Sequence, residues 1–254
     1  MFRNFRKNST FLNNTTNRLQ SIHSTFYTKP SSRRAFSSNF FSSNLSIIGP
    51  LPVALIIASN ISICGFYLYS HNTSFAVKRL YDEWFILSSS RVRKRPIVLF
   101  TSMFTHLDPI HCLVNMYSLH SFGSTAYGML GGFRFIGLYL TSGIAGGLAQ
   151  VAYNRMMPKS TFPASISVRR DDAAVGASAA ISGVVMYYAT RVPQGEISIF
   201  IFPVPNPAFV ALFMVGSCYF AFYSTERSHW AHAGHLGGAS VGIMYALGRR
   251  FLRR

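Results

Sequence analysis

The chain has 254 residues, of which 49% are hydrophobic and only 12% carry a charged side chain. A soluble domain has about 25% charged residues, so this composition argues against an ordinary soluble protein. Residues 47–77 and 197–225 contain no Asp, Glu, Lys or Arg. Because a membrane span needs about 20 mostly apolar residues, the sequence predicts a protein that crosses a membrane several times.

Much of the net charge of +17 lies in the N-terminal segment and beside the last apolar segment. The basic residues of these two regions are Arg3, Arg6, Lys7, Arg18, Lys29, Arg33, Arg34, Arg249, Arg250, Arg253 and Arg254. Basic flanks are typical of membrane proteins, where they follow the positive-inside rule and meet anionic headgroups. No DNA- or RNA-binding motif accompanies them. The expected partner is therefore the lipid bilayer and not nucleic acid.

Residues 1–46 form a candidate targeting leader. The segment is rich in Ser, Asn, Thr and Arg, and the first acidic residue of the chain is Asp82. An N-terminus rich in Arg and Ser and poor in acidic residues is typical of an organellar transit peptide. The motif RRAFSS, at residues 33–38, is similar to a mitochondrial processing site with the cut before Ser37. The alternative is a disordered basic tail on a protein of another membrane.

Six apolar segments after the leader are the predicted transmembrane helices. They are residues 47–70, 109–130, 133–153, 173–191, 206–223 and 231–248. The long loop after the first span carries six basic residues between Lys78 and Arg95. Its Trp84 and Phe85 suit the interface between lipid and water.

Four polar residues inside these spans are candidates for function, because polar side chains are costly in hydrocarbon. His111 and Asn115 are four residues apart and so share one face of the second span. Ser178 lies at the start of the fourth span and His235 at the start of the sixth. Consecutive spans cross the membrane in alternate directions, so these three spans enter from the same side. The four side chains are expected at similar depth near one membrane surface.

These residue types fit nucleophilic catalysis. A serine hydroxyl becomes a strong nucleophile when a neighbouring base takes its proton, and His235 can be that base for Ser178. His111 and Asn115 can donate hydrogen bonds to an oxyanion. Carboxylates lie only near the edges of these spans, which predicts a Ser–His pair without an orienting acid. The alternative is that Ser178 is only a small residue at a helix crossing, which is common in membrane bundles.

Glycines indicate how the spans pack. In the sixth span, Gly238 and Gly242 belong to a GxxxG series, which lets two helices approach closely. Gly176, two residues before Ser178, is expected to leave room for the sixth span. A close contact between the fourth and sixth spans would bring His235 to Ser178.

No metal site, disulfide or cofactor is expected. The three cysteines lie far apart inside apolar segments, which predicts neither a disulfide framework nor a cysteine-based metal site. His229, His232 and His235 read HxxHxxH and are the strongest rival hypothesis, a set of metal ligands. A metal site would need carboxylates or a further ligand cluster, and only Glu226 is near.

Several motifs, taken together, resemble a known family. They are FTHLDPIH at residues 104–111, HxxxN at 111–115, GxS at 176–178 and HxxGxxxG at 235–242. In this order and in these spans they are similar to the motifs of the rhomboid intramembrane serine proteases. The resemblance covers about residues 47–250 and, with the leader, is greatest for the mitochondrial branch, the presenilin-associated rhomboid-like proteases.

The resemblance implies a fold and a place in the cell. The fold is an all-α membrane protein, a six-transmembrane-helix rhomboid-like bundle, with the protease domain over residues 47–254. The implied location is the mitochondrial inner membrane, which the chain would cross several times.

The resemblance also implies roles for individual residues. Ser178 would be the nucleophile and His235 the general base, while His111, Asn115 and the Ser178 backbone N–H would bind the oxyanion. Substrates would be single-pass membrane proteins, cut in or near their transmembrane segment, and no cofactor is implied. The alternative is a catalytically inactive relative that binds membrane proteins without cutting them. The presence of both Ser178 and His235 favours an active enzyme.

Two positions depart from the family pattern. Ala179 follows the serine where the family usually has glycine. The first loop lacks the adjacent Trp-Arg pair that is common in the family and has Trp84-Phe85 instead.

Overall fold

A computed structural model of the chain describes residues 49–156, 173–199, 201–222 and 231–251. These residues all belong to one compact unit, Ser46–Arg254. The predicted leader, residues 1–46, and the processing motif within it lie outside the described residues.

Helices make up most of the described chain. In order they are α1 (Leu51–Thr73), α2 (Phe75–Phe85), α3 (Ser89–Lys94), α4 (Val98–Thr101), α5 (Pro109–Ser118), α6 (Ser124–Leu130), α7 (Gly132–Met156), α8 (Ser178–Arg191), α9 (Asn206–Phe222) and α10 (His232–Phe251). A 3-10 turn, Ser102–Phe104, precedes α5, and a π-helical turn, Leu119–Gly123, joins α5 to α6. Each of the six predicted spans therefore coincides with one helix or, for the second span, with this joined pair.

The helices support an all-α membrane protein. By length and composition, Leu51–Ser70 and Gly132–Met156 are able to cross a membrane, and Asn206–Phe222 is apolar but shorter. The arrangement of six transmembrane spans stays a prediction.

Local sequence signals explain where two of the helices begin. Pro109 occupies the first turn of α5, and the Asp108 carboxylate accepts a hydrogen bond from the Ile110 N–H at 2.8 Å. Proline at the first helical position and aspartate at the N-cap both favour a helix start. Ser74 caps α2 in the same way by accepting from the Val77 N–H at 3.3 Å. Asp108, a carboxylate near the edge of the second span, therefore serves as a helix cap.

Helix α8 is buried in the bundle and packs against both α7 and α10, which also contact each other. Most of its side chains are buried, and Ala180 and Val184 are completely inaccessible to solvent. A methyl group at Gly242 would collide with the carbonyl oxygen of Gly183 on α8. The backbones of α8 and α10 are therefore in direct contact, as a GxxxG series permits.

A small β-hairpin interrupts the otherwise helical chain. Strands β1 (Glu196–Ile199) and β2 (Phe202–Pro205) pair antiparallel between α8 and α9. The all-α prediction is right for the bundle but misses this hairpin, because prolines argue against a strand except at an exposed edge. The buried Asn206 then ties the start of α9 to the end of α8, since its side chain donates to the Val192 carbonyl at 2.6 Å.

The first loop folds into a compact segment that carries α2, α3 and α4. Glu83 accepts a hydrogen bond from Arg79 at 3.3 Å and forms an ion pair with Arg95 at 3.1 Å. The Arg95 guanidinium also lies 5.0 Å from the centre of the Trp84 ring. The chain thus pairs a tryptophan with an arginine across the loop, although the two residues are not adjacent in the sequence.

Candidate active site

Ser178 is the first residue of α8 and follows a tight turn that contains Gly176. Gly176 has φ of +117°, a conformation that residues with a side chain rarely adopt. Its N–H donates to the Ser102 carbonyl at 3.0 Å, and the Ala177 N–H donates to His106 Nε2 at 3.5 Å. Ala177 provides no side-chain cap for α8. The first N–H groups of a helix have no partner within it, so this helix start can receive an oxygen atom from another molecule.

His235 comes to Ser178 from the first turn of α10. Its Nε2 lies 2.9 Å from the Ser178 hydroxyl oxygen, which is hydrogen-bonding distance. The His235 ring is half-buried. Its centre lies 6.5 Å from the centre of the Phe213 ring and 6.1 Å from the centre of the His232 ring. The structure therefore brings together two residues that are 57 positions apart in the chain.

Gln150 on α7 holds the start of α10 in place. Its Oε1 accepts a hydrogen bond from the Gly234 N–H at 3.0 Å, and its Nε2 donates to Asn154 at 2.9 Å. Gly234 directly precedes His235, so this contact anchors the turn that carries the imidazole. The sequence analysis did not single out Gln150, although an amide in a predicted span is the costly polar group that indicates such a role.

His111 and Asn115 lie on α5, and the His111 ring is next to the turn that precedes Ser178. Asn115 is buried, and its amide nitrogen donates to the His111 carbonyl at 2.9 Å. A side chain at Gly176 would come within 3.2 Å of the His111 ring. Gly176 was expected to make room for the sixth span, but the nearest groups belong to His111 and His106. Because Gly176 has no side chain, α5 can approach the turn before Ser178 closely.

His106, the first histidine of the FTHLDPIH motif, also belongs to this region. The side chain is completely buried, and its ring centre lies 5.2 Å from that of His111. Because it also accepts from the Ala177 N–H, His106 connects the segment before α5 to the residue before Ser178.

Ala179, the residue that departs from the family pattern, fits because its neighbours are small. A methyl group at Gly146 on α7 would lie only 2.5 Å from the Ala179 Cβ. The side chain of Ala179 therefore occupies space that Gly146 leaves open.

A small cleft of about 30 Å³, partly open to the outside, reaches both Ser178 and His235. Its wall includes Gly146 and Gln150 from α7 and Leu87 from the first loop. The Ser178 hydroxyl and the His235 imidazole therefore border a small, mostly apolar space.

The rival set of metal ligands lies only partly within the described part of the chain. His229 and Glu226 lie outside the described residues. The His232 ring stacks on Phe220 with ring centres 5.2 Å apart. Within the described ranges, no group of three or more His, Cys, Asp or Glu side chains is arranged to hold a metal ion.

Comparison with known families agrees with this geometry. The Rhomboid domain family matches residues 93–250, which is more than half of the chain. The chain belongs to the rhomboid family. The matched region contains His111, Asn115, Ser178 and His235, while α1 and α2 precede it.

Individual relatives are mitochondrial members of the family. The chain is 30% identical over 167 residues to "Rhomboid protein 1, mitochondrial" of Saccharomyces cerevisiae, covering 66% of this chain and 45% of that protein. It is 29% identical over 164 residues to "Presenilin-associated rhomboid-like protein, mitochondrial" of Mus musculus, covering 62% and 38%. It is 24% identical over 177 residues to "RHOMBOID-like protein 12, mitochondrial" of Arabidopsis thaliana, covering 66% and 52%.

These matches confirm the resemblance to the mitochondrial branch. The chain is a mitochondrial membrane protein of the rhomboid family. It spans about half, or less, of the length of these curated relatives.

Proposed function

We propose that this rhomboid is an intramembrane serine endopeptidase that cuts single-pass membrane proteins in or near their transmembrane segment. The observation that carries the proposal is the 2.9 Å contact between the Ser178 hydroxyl and His235 Nε2. A general base must lie within hydrogen-bond reach of the proton that it removes. The contact meets this requirement.

In the first half of the reaction, Ser178 attacks the carbonyl carbon of the scissile peptide. The hydroxyl proton passes to His235 Nε2 as the new C–O bond forms. The imidazolium then gives this proton to the leaving amine, and the C–N bond breaks to leave an acyl-enzyme. A water molecule attacks the ester in the second half, with His235 as base again, and restores the Ser178 hydroxyl.

The developing oxyanion needs hydrogen-bond donors next to the serine. The Ser178 N–H at the start of α8 is one candidate, because the first N–H groups of a helix have no partner within it. The Asn115 amide is a second candidate, since it carries two N–H bonds and uses one on the His111 carbonyl. His111 is the third, beside the turn at Gly176. The positive end of the α8 dipole adds to the same stabilisation.

Labelling with a fluorophosphonate probe in detergent or proteoliposomes tests the nucleophile. We expect the wild-type chain to label, and Ser178→Ala and His235→Ala to lose labelling while their thermal unfolding stays close to wild type. Ser182→Ala, one turn further along α8, is the matched control and should label normally. Persistent cleavage of a transmembrane substrate by Ser178→Ala would refute the mechanism.

Cleavage of a model single-pass substrate separates the protease from an inactive relative that only binds. An inactive relative would cross-link to the substrate but would neither label nor cut it. Asn115→Ala and His111→Ala should each lower the cleavage rate by about 10²–10³-fold, the cost of losing one oxyanion donor. Chelators should leave the rate unchanged, and loss of activity on chelation would support a metal site instead.

We also propose that residues 1–46 are a transit peptide that directs the chain to the mitochondrial inner membrane. The support is the basic, acid-poor composition and the motif before Ser37. Import into isolated mitochondria should shorten the chain at this position, as N-terminal sequencing of the product would detect. An imported chain that keeps residues 1–36 would contradict this assignment.

A further inference from the structure

The first loop exposes apolar side chains beside a group of basic ones. Phe75, at the start of α2, is 81% exposed, and Leu80 and Trp84 on the same helix are also exposed. Ile97 and Phe100 continue the exposed apolar surface just after α3. Several exposed apolar residues on one segment mark a contact with a membrane or another protein.

The same segment carries an excess of positive charge, which we call the basic patch. Its members are Lys78, Arg79, Arg91, Arg93, Lys94, Arg95 and Arg155. Arg155 joins from the end of α7, since its guanidinium donates to the Ser89 carbonyl at 3.4 Å. Asp82 and Glu83 are the acidic residues of the α2–α3 segment, so the patch remains strongly positive.

Two residues of the basic patch are well placed to meet an external anion. Arg93 and Lys94 lie in the last turn of α3 and are exposed. Arg79 and Arg95, in contrast, share the carboxylate of Glu83. Among the described residues, neither Arg93 nor Lys94 forms an ion pair.

The basic patch lies on the side of the bundle where Ser178 begins α8. Leu87, between α2 and α3, forms a β-bridge with Ala174, and the two N–H···O distances are 3.2 and 2.9 Å. Ala174 is four residues before Ser178. Backbone hydrogen bonds thus connect the first loop to the segment that leads to Ser178, the candidate nucleophile.

We propose that the basic patch binds the phosphate groups of anionic phospholipids in the membrane leaflet on the Ser178 side. Guanidinium groups pair well with phosphate oxygens, and the exposed apolar side chains suit the headgroup and acyl boundary of the same leaflet. This combination favours a lipid surface over a soluble acidic partner. The proposal concerns lipid binding alone and does not depend on the proposed protease activity.

Quenching of Trp84 fluorescence by brominated lipids tests this directly. The chain contains two tryptophans, Trp84 and Trp230, so the full chain with Trp230→Phe reports from Trp84 alone. In nanodiscs of phosphatidylcholine, brominated phosphatidylglycerol should quench Trp84 several-fold more effectively than brominated phosphatidylcholine. Because each basic residue near an anionic surface adds about five-fold to lipid affinity, Arg93→Ala with Lys94→Ala should remove most of this preference.

Arg134→Ala is the matched control, because it removes one exposed arginine from the opposite end of α7. It should leave the preference unchanged, whereas Arg93→Ala alone should lower the affinity for the anionic lipid by about five-fold and reduce the preference less than the double variant does. Circular dichroism and thermal unfolding would verify that the variants fold. Equal quenching by the two lipids, or an unchanged preference in the double variant, would overturn the proposal. If the chain keeps its lipid preference but does not react with the fluorophosphonate, the proposed protease activity is refuted and the proposed lipid binding is not.

Discussion

The carbonyl oxygen of Ala179 lies where a side chain at Gly238 would have to go. Helix α8 and helix α10 therefore meet through their backbones one residue after Ser178 and three residues after His235. The distance between the hydroxyl and the imidazole depends on this contact, because both side chains lie in the first turns of the two touching helices.

Gly238→Ala should force the two helices apart. We expect a loss of about 3 kcal/mol in the free energy of unfolding, at the upper end of the usual cost of overpacking. Cleavage should fall by about 10²-fold, because a displacement of about 1 Å in an active site can have that effect. Gly248→Ala, near the other end of α10, is the control, since a side chain there meets nothing within 4 Å. Equal effects of the two substitutions, measured by thermal unfolding and cleavage, would contradict the close contact.

Gly146→Ala tests why Ala179 is tolerated. The added methyl would lie 2.5 Å from the Ala179 Cβ and 2.6 Å from the Gly234 carbonyl oxygen, so we expect a loss of about 1–3 kcal/mol. Ala179→Gly should relieve the first of these contacts and recover part of the stability in the double variant. Gly137→Ala, in the same helix but with open space around it, should have little effect. If the change in the free energy of unfolding of the double variant equals the sum of the changes in the two single variants, Gly146 and Ala179 do not interact.

Gln150→Leu should loosen the first turn of α10. It leaves the Gly234 N–H without its acceptor, at a cost of about 1–3 kcal/mol, and frees the turn that carries His235. Hydrogen exchange of the Gly234 amide should become faster, and the rate of fluorophosphonate labelling at Ser178 should fall. Asn154→Ala keeps the hydrogen bond between the Gly234 N–H and Gln150, so it should change the hydrogen-exchange rate of the Gly234 amide much less. Unchanged exchange in Gln150→Leu would rule out this anchoring role.

The first loop should loosen in acid. The hydrogen bond from Arg79, with the charge of Arg95, lowers the pKa of Glu83 below its usual value. A depressed folded-state pKa means that the contribution to stability is present above the unfolded pKa, about 4.3, and is lost as the pH falls through the folded-state pKa. Trp84 emission in a Trp230→Phe background should therefore shift below about pH 4.

Glu83→Gln supplies the comparison for this acid transition. Without the carboxylate, Arg95 loses its ion pair, and the Trp84 emission should be nearly independent of pH between 3 and 6, a range of about three units around the unfolded pKa. A transition of the same size in this variant would assign the acid response to another group.

Much of the bundle was predictable from periodic and compositional features of the chain. Apolar segments located the helices because burial in lipid or core excludes charged side chains over about 20 residues. The start of α5 at Asp108 and Pro109 is also a local feature of the chain, because capping depends on adjacent residues. The hairpin before α9 was missed, because the contact between its strands does not appear in the local pattern of apolar residues.

The sequence by itself determined which polar residues lie near the starts of helices α5, α8 and α10, and in what order. The tertiary structure alone decided that His235 faces Ser178, that Gln150 holds Gly234, and that Arg95 covers Trp84. Each of these pairs joins residues from different helices or from the two ends of a loop. Their contacts depend on the rotation and spacing of packed helices, which no pattern within a single segment specifies.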